Sequence, residues 1–448
     1  MKKMFFLLLM FVTVLPLTAQ KKLTLDEAIS IALQRNTALI KTKNTIYTGE
    51  AQLKNAYGDL LPTLGAQATW NWQRVSDIGG IQRDYFGNDV EVPASEVDSR
   101  SYSVGIGGGI TLFDGLANIS NISQKKDNLQ AIEYNIEKAK QNVVYETANY
   151  FYQVINADEL KKVREENVKY YQKFYETVQE RNRLGSVAKA DVYTAQVQLG
   201  NAELLLIQAQ NSYENALSSF LNYLALNVLE DYSLVDPYGG QTAADADAYL
   251  KDYEDVQAMV SAALDNRFDY KSQQLTVNSA ESGLTMARSG LFPSLSGNYS
   301  YSSGATKPGN LFDRKVLSFG LTLSIPIFSN WSTESQIQSA EVNLLNARED
   351  LLALERLVKI EVKQGFLDLT AAKKSLDVAS KNVTAAEETR KINQERYNLG
   401  SGTILDVLQA DRDYTDALRN KINALYDYYT KRDNLNNALG KLEYKKFE

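Results

Sequence analysis

The chain has 448 residues, with 48 Lys and Arg against 55 Asp and Glu, a formal charge of -7, and neither cysteine nor histidine. Lack of cysteine excludes disulfides, thiolate chemistry and a lipid anchor on a processed Cys, and lack of histidine removes the commonest general base and metal ligand. With no basic tract to follow a phosphate backbone, no nucleic-acid partner, cofactor or metal is expected.

Residues 1–19 read as a secretory signal, with Lys2 and Lys3, an apolar run Phe5 to Val14, and a Leu17-Thr18-Ala19 exit. The mature chain would begin near Gln20 and carry -9. No later apolar stretch approaches ~20 residues, so no helix is expected to cross a bilayer. A membrane location must therefore rest on strands.

Thr24-Leu25-Asp26-Glu27 opens a helix predicted over 24–57, with Thr24 as N-cap and Gly58 and Pro62 as its end. Leu64, Ala66, Ala68, Trp70 and Trp72 then alternate with polar or small residues. After a solvated polar loop, about Ser76 to Ser99, with Asp84, Asp89, Glu91, Glu96 and Asp98, the alternation resumes at Tyr102, Val104, Ile106, Ile110 and Leu112. From Leu116 to Arg183 there is neither Pro nor Gly, and Leu129, Ile132, Ile136, Val143, Ala148, Phe151 and Ile155 recur at helical spacing. Such a run makes roughly 100 Å of helix. Gly185 turns the chain into a return helix, about 190–226, whose Ala195, Leu199, Ala202, Leu206, Ala209, Tyr213, Ala216 and Phe220 form a coiled-coil seam.

The same order of signals follows a second time, after a segment 231–253 read as a linker around the outside: a helix over 254–289, strands over Leu295–Tyr301 and 317–327, a long helix over 331–397, and a return helix over 404–442. Arg181-Asn-Arg-Leu-Gly-Ser recurs 215 residues later as Arg396-Tyr-Asn-Leu-Gly-Ser, each followed by an Asp-Val pair, Asp191-Val192 and Asp406-Val407. Leu60-Leu61-Pro62-Thr63-Leu64 and Leu291-Phe292-Pro293-Ser294-Leu295 match at an offset of 231, so the first copy carries the longer insertion. The domains read as repeat 1 over 20–230 and repeat 2 over 254–448, each a β-hairpin, one long helix and two half-helices that share its length.

Alternating segments of about ten residues suit tilted membrane strands, and equally a half-buried soluble sheet. Trp70, Trp72, Tyr102, Tyr299 and Tyr301 near the loop ends favour the membrane, where an aromatic girdle lies. Two hairpins supply four strands, and an open edge in lipid leaves backbone groups unsatisfied, so a membrane reading requires several chains.

These residues resemble the TolC family of outer-membrane channel components, through the Leu-Thr-Leu-Asp-Glu-Ala opening, both Leu/Phe-Pro strand starts, the Phe113-Asp114-Gly115 strand exit and both Leu-Gly-Ser tips. The resemblance implies a mainly α fold with a membrane β portion: a homotrimer with a twelve-stranded β-barrel continuous with a twelve-helix periplasmic α-barrel. It implies outer-membrane lipid surroundings, a periplasmic adaptor (membrane fusion) protein and an inner-membrane transporter, an RND-type pump or an ABC ATPase, as partners. The implied role is a passive exit duct for efflux or type I secretion.

The tips Leu184-Gly185-Ser186 and Leu399-Gly400-Ser401 read as helix C-caps, and by resemblance as docking points for an adaptor. Asp191 and Asp406 follow them near helix starts, where an acidic side chain favours the dipole. The resemblance makes Asp406 a carboxylate ring at the periplasmic constriction, tolerable at ~0.7 kcal/mol per like pair about 6 Å apart in water. Gln409 and Gly402 depart from the family pattern of a second Asp and a basic residue, which predicts a less acidic gate. Arg181, Arg396 and Tyr397 are latch candidates. A structural coiled-coil envelope protein would need neither matched tips nor alternating strands, and no nucleophile motif or phosphate loop supports a carboxylate hydrolase.

Overall fold

The computed structural model describes residues 21–238 and 255–447, so the expected leader and most of the expected linker lie outside the described residues. In chain order the first half gives β1 (Lys21–Leu23), α1 (Leu25–Arg35), α2 (Thr37–Gly58), β2 (Gly65–Asp77), β3 (Gly80–Arg83), β4 (Asp89–Val92), β5 (Ser95–Phe113), α3 (Ala117–Arg183), α4 (Lys189–Tyr223) and β6 (Tyr232–Leu234). The second half gives α5 (Val256–Asn266), α6 (Phe268–Arg288), β7 (Ser294–Ala305), β8 (Lys315–Ser324), α7 (Ser332–Asn398) and α8 (Ile404–Ala438). The halves are built alike: α3 and α7 have 67 residues each, and α4 and α8 have 35 each. None of the described helices is long and apolar enough to cross a membrane.

The described residues fall into two compact units, one from 21–43, 135–238, 255–268 and 355–447, the other from 44–134 and 269–354. In the first, Thr24 caps α1 as expected. Its hydroxyl accepts from the Glu27 amide, and the Glu27 carboxylate accepts from the Thr24 amide at 2.9 Å, a reciprocal capping box. The single helix expected over 24–57 is instead broken at Asn36, and that over 254–289 at Arg267. Asn36 ends α1 by donating its amide to Ala32 and starts α2 by accepting the Leu39 amide at 3.1 Å. Its side-chain nitrogen reaches the Tyr223 carbonyl near the end of α4. Arg267 repeats this with a longer arm: its amide bonds Ala263, and its guanidinium meets Glu361 and the Ala438 carbonyl at the end of α8. β6, in the segment read as a linker, pairs in parallel with β1, and Tyr238 stacks on Tyr429 at 3.7 Å between ring centres.

The second unit holds one four-stranded antiparallel sheet in the order β2-β5-β7-β8, so the two hairpins join through β5 and β7. The register sorts the side chains onto two faces, apart from an irregularity between Thr111 and Phe113. Trp70 opposes Tyr102, and Ile106 opposes Tyr301, which opposes Leu317. Tyr299 opposes Phe319, and Gly297 opposes Leu321. These lie on one face, because alternate strand residues share a side. The other face carries Thr69, Ser103, Ser302, Asn298, Ser318 and Thr322. The apolar face is left uncovered, with Trp70 64 %, Phe319 78 % and Leu321 73 % exposed.

Close backbone approach explains one glycine of the Gly105 to Gly109 run. The strand-opening loop crosses Gly108 so tightly that a Cβ there would overlap the Thr63 carbonyl, which also accepts from the Tyr299 hydroxyl at 2.7 Å. The first-hairpin loop is more ordered than its polarity suggests. β2 and β5 pair as far as Asp77 and Ser95, and β3 and β4 form a separate ribbon beyond them. Its acidic residues have local work: Asp98 pairs with Arg74, Asp89 with Arg83, and Asp84 accepts the Phe86 and Asn88 amides.

Candidate functional site: the paired helix tips

Both long helices end in the same hydrogen-bonded turn. At the end of α3 the Ser186 amide bonds Arg181 and the Gly185 amide bonds Asn182; at the end of α7 the Ser401 amide bonds Arg396 and the Gly400 amide bonds Tyr397. This is the Schellman arrangement, which needs a left-handed residue at its hinge. Gly185 and Gly400 supply it with φ of +75° and +76°. Open space surrounds both glycine Cα atoms, while Leu184 and Leu399 are exposed.

The two tips are held together behind these turns. Tyr171, Phe174 and Val178 of α3, Ala195 and Ala202 of α4, Tyr397 of α7, and Ile404, Val407 and Leu408 of α8 form one buried cluster. Arg181 of α3 crosses to α7, donating to the Tyr397 carbonyl at 3.4 Å and to Asn398 Oδ1 at 3.1 Å, with its guanidinium over the Tyr397 ring. The structure thus brings Arg181 and Tyr397 together. Arg396 is exposed; its carbonyl accepts the Ser401 and Gly402 amides in the turn, and its charge helps to lower the Asp406 pKa.

Asp406 is first a capping residue. Its carboxylate accepts from the Thr403 amide and hydroxyl, both at 2.9 Å, while the Thr403 hydroxyl accepts from the Asp406 amide. Those bonds, the amide foremost, hold the carboxyl below its ordinary range. The carboxylate remains fully exposed and charged. Gln409 lies one turn on and donates to Asp413 at 2.8 Å, so Asp406, Gln409 and Asp413 share one exposed face of α8. Asp191 at the start of α4 is half-buried; burial raises the Tyr397 pKa, Arg181 opposes that rise, and the Asp191 charge adds to it. Gly402 tucks against Arg396, where a Cβ would come within 3.1 Å of the Arg396 Cβ, so a longer side chain in the family's basic position would have to displace that packing.

Sequence reasoning missed a buried carboxylate above the tips. Asp411 of α8 is 1 % exposed, accepts from Asn167 of α3 at 3.2 Å, and pairs with Arg390 of α7 at 3.4 Å. Arg390 also lies over the Tyr170 and Tyr414 rings, and Tyr170 donates to Gln394. Burial lifts the Asp411 carboxyl above its usual value, against the opposing pull of Tyr171, Arg390 and Asn167. A signal was available: Ile404, Leu408, Asp411 and Thr415 follow a 4-3-4 seam spacing, which puts a charge where an apolar residue belongs.

The family profile described as Outer membrane efflux protein matches residues 28–225 and 259–441. The chain belongs to the outer membrane efflux protein family. Among curated relatives, this efflux protein is 24 % identical to outer membrane protein TolC of Escherichia coli K12, over 87 % of the chain and 77 % of the relative. It is 23 % identical to the outer membrane efflux protein BepC of Brucella suis, over 90 % of each. Among solved structures it resembles VceC of Vibrio cholerae, with a TM-score of 0.77 at 18 % identity over 93 % of the chain and 96 % of VceC. The Campylobacter jejuni CmeC outer membrane channel gives 0.75 at 18 % identity, over 94 % and 88 %. The efflux protein therefore has the fold of these channels, with the expected duplicated hairpin and long helices.

Proposed function

We propose that three copies of this efflux protein close into an outer-membrane exit duct, a passive channel and not an enzyme, served by a periplasmic adaptor and an inner-membrane transporter. The observation that carries this reading is the four-stranded sheet, with one apolar exposed face and free edges at β2 and β8. Antiparallel pairing across the sheet leaves β2 and β8 running in opposite directions. The β2 edge of one copy can therefore receive β8 of the next without breaking the pattern, and a closed ring removes every edge. Three copies give the twelve strands and twelve helices' width expected of this fold. Pure lipid bilayers provide the test: the purified protein should insert and conduct ions as a trimer. A monomer, or a trimer without conductance, overturns the reading.

At the periplasmic end Asp406, Gln409 and Asp191 line the constriction, the Asp406 tip as its moving part and the Asp191 tip as its fixed wall, with Asp413 on the same exposed face of α8 as Asp406. Gln409 makes the ring less acidic, but its bond to Asp413 places a second carboxylate about 10 Å above Asp406. Arg181 and Tyr397 form the latch, with Arg396 outside it. Leu184-Gly185-Ser186 and Leu399-Gly400-Ser401 dock the adaptor, supported by their open surroundings and identical turns. Asp406→Ala should weaken the block of single-channel current by trivalent cations; unchanged block removes Asp406 from the gate.

A further inference from the structure

The first hairpin runs past the second. β5 leaves β7 at Tyr102, and its residues Ser95 to Ser101 pair with β2 alone. The α-helices that adjoin the sheet in sequence meet it at the opposite end, α3 after Phe113, α7 after Ser324, α2 before Gly65 and α6 before Ser294. The Tyr102 end is therefore the outer-leaflet side of a sheet that spans the membrane as proposed above, on which this inference rests.

The chemistry on the lipid side changes abruptly at that end. Trp70 and Tyr102 form the last wholly aromatic pair; the next row is Trp72 with Arg100, and the next is Arg74 with Asp98. On β8 the apolar column Leu321, Phe319, Leu317 ends at Lys315 on the same face. Asp98 is engaged by Arg74 in a two-pronged pair, at 2.8 and 3.0 Å. Among the described residues neither Arg100 nor Lys315 is within ion-pair distance of a carboxylate, although the Arg100 charge is near enough to act on Asp98, and both cations are exposed. Glu96, the next acidic group on this face, lies beyond the Arg74 and Asp98 row, further from the aromatic band.

We infer that Arg100 and Lys315, backed by Trp70, Trp72 and Tyr102, bind the phosphate groups of anionic outer-leaflet lipids. Arg100 lies one row beyond the Trp70–Tyr102 pair and Lys315 one row before it, in line with Ser303 and Val104, so the two cations bracket the aromatic band. Indole and phenol rings sit at the interface, where a guanidinium takes phosphate oxygens and a lysine stem can reach up to them. A soluble sheet has no reason to concentrate its unpaired cations at the end of its apolar face.

Trp70 and Trp72 are two of three tryptophans, so a Trp331→Phe background makes them the sole indole reporters. Detergent-solubilised protein is titrated with diphosphorylated lipid A, with the same lipid stripped of phosphate, and with inorganic phosphate. A saturable emission change should appear only with the first. Arg100→Gln or Lys315→Gln should each raise the half-saturating concentration about fivefold, and Arg100→Lys should restore most of it. Equal response to dephosphorylated lipid, to inorganic phosphate alone, or from the Gln variants overturns the inference. Bilayer conductance of the same variants separates the outcomes: conductance without phosphate preference fails this inference alone, whereas its loss from wild type fails the channel reading.

Discussion

Asn36 and Arg267 occupy equivalent breaks in the two halves and answer the same need with different chemistry. Each must end one helix, start another, and satisfy a carbonyl at the end of a return helix, Tyr223 for Asn36 and Ala438 for Arg267. Asn36 does so with a short amide, and Arg267→Ala should be the more damaging change. Arg267 is 4 % exposed and its loss leaves Glu361 and the Ala438 carbonyl without their partner. Because Glu361 can still reach water, the cost should be about 3 kcal/mol, the lower end for a broken buried pair, against about 1 kcal/mol for Asn36→Ala. Denaturant midpoints followed by far-UV circular dichroism compare the two. Arg267 was not legible, because Arg is an ordinary helix residue and only the packed return helix makes its position special; Asn36 carried a capping signal, hidden inside a helical pattern that continues on both sides of it.

Asp411 sets a pH dependence whose sign follows from its burial. Its folded pKa lies above the ordinary 3.8, so the folded state binds the proton more tightly than the unfolded chain does. The packing at Asp411 is therefore weakest when the carboxyl is charged, and strengthens as pH falls through the folded value, levelling off below 3.8. Asp406 acts in the opposite sense. Its pKa is depressed, so its cap is complete above the ordinary value and is lost as pH falls through the folded one. Amide-exchange protection factors near Asn167 and Asp411, corrected for the intrinsic pH dependence of exchange, should rise on mild acidification in the wild type and lose that response in Asp411→Asn. An unchanged response would remove Asp411 as the titrating group.

At the scale of elements, the tips separate folding from docking. A Cβ at Gly185 or Gly400 meets nothing, so alanine there should cost only the left-handed backbone strain, about 1 kcal/mol each. The double variant Gly185→Ala, Gly400→Ala should still assemble, and export should fall because the turn surface is altered. Full export with an intact assembly would show that the turns are caps and nothing more. The turns were readable because a glycine after a long Gly-free run has one conformational purpose, and the strands because their alternation survives in the register. The β3 and β4 ribbon was not, since four-residue strands among acidic residues carry almost no periodic signal. The Asp411 seam left a trace in the 4-3-4 spacing of α8, but that spacing does not name the partners, Asn167 on α3 and Arg390 on α7, that make a buried carboxylate tolerable.

For the whole molecule, the decisive matter is which face of the sheet meets lipid. Leu321 and Ser318 lie on opposite faces of β8, and each is exposed in the single chain. In water, lysine at either position would be nearly neutral. In a bilayer the two faces part company: lysine on the lipid side near mid-membrane costs roughly 2–4 kcal/mol, whereas on the lumen side it changes the ions that pass. Leu321→Lys should therefore cut the amount of protein assembled in the outer membrane, and Ser318→Lys should assemble at wild-type level with conductance shifted toward anions. Equal assembly of both variants would mean that the apolar face does not meet lipid, and the sheet would then have to find its cover in another protein. Reduced assembly for Ser318→Lys alone would reverse the assignment of the two faces, and with it the headgroup contact proposed for Arg100 and Lys315.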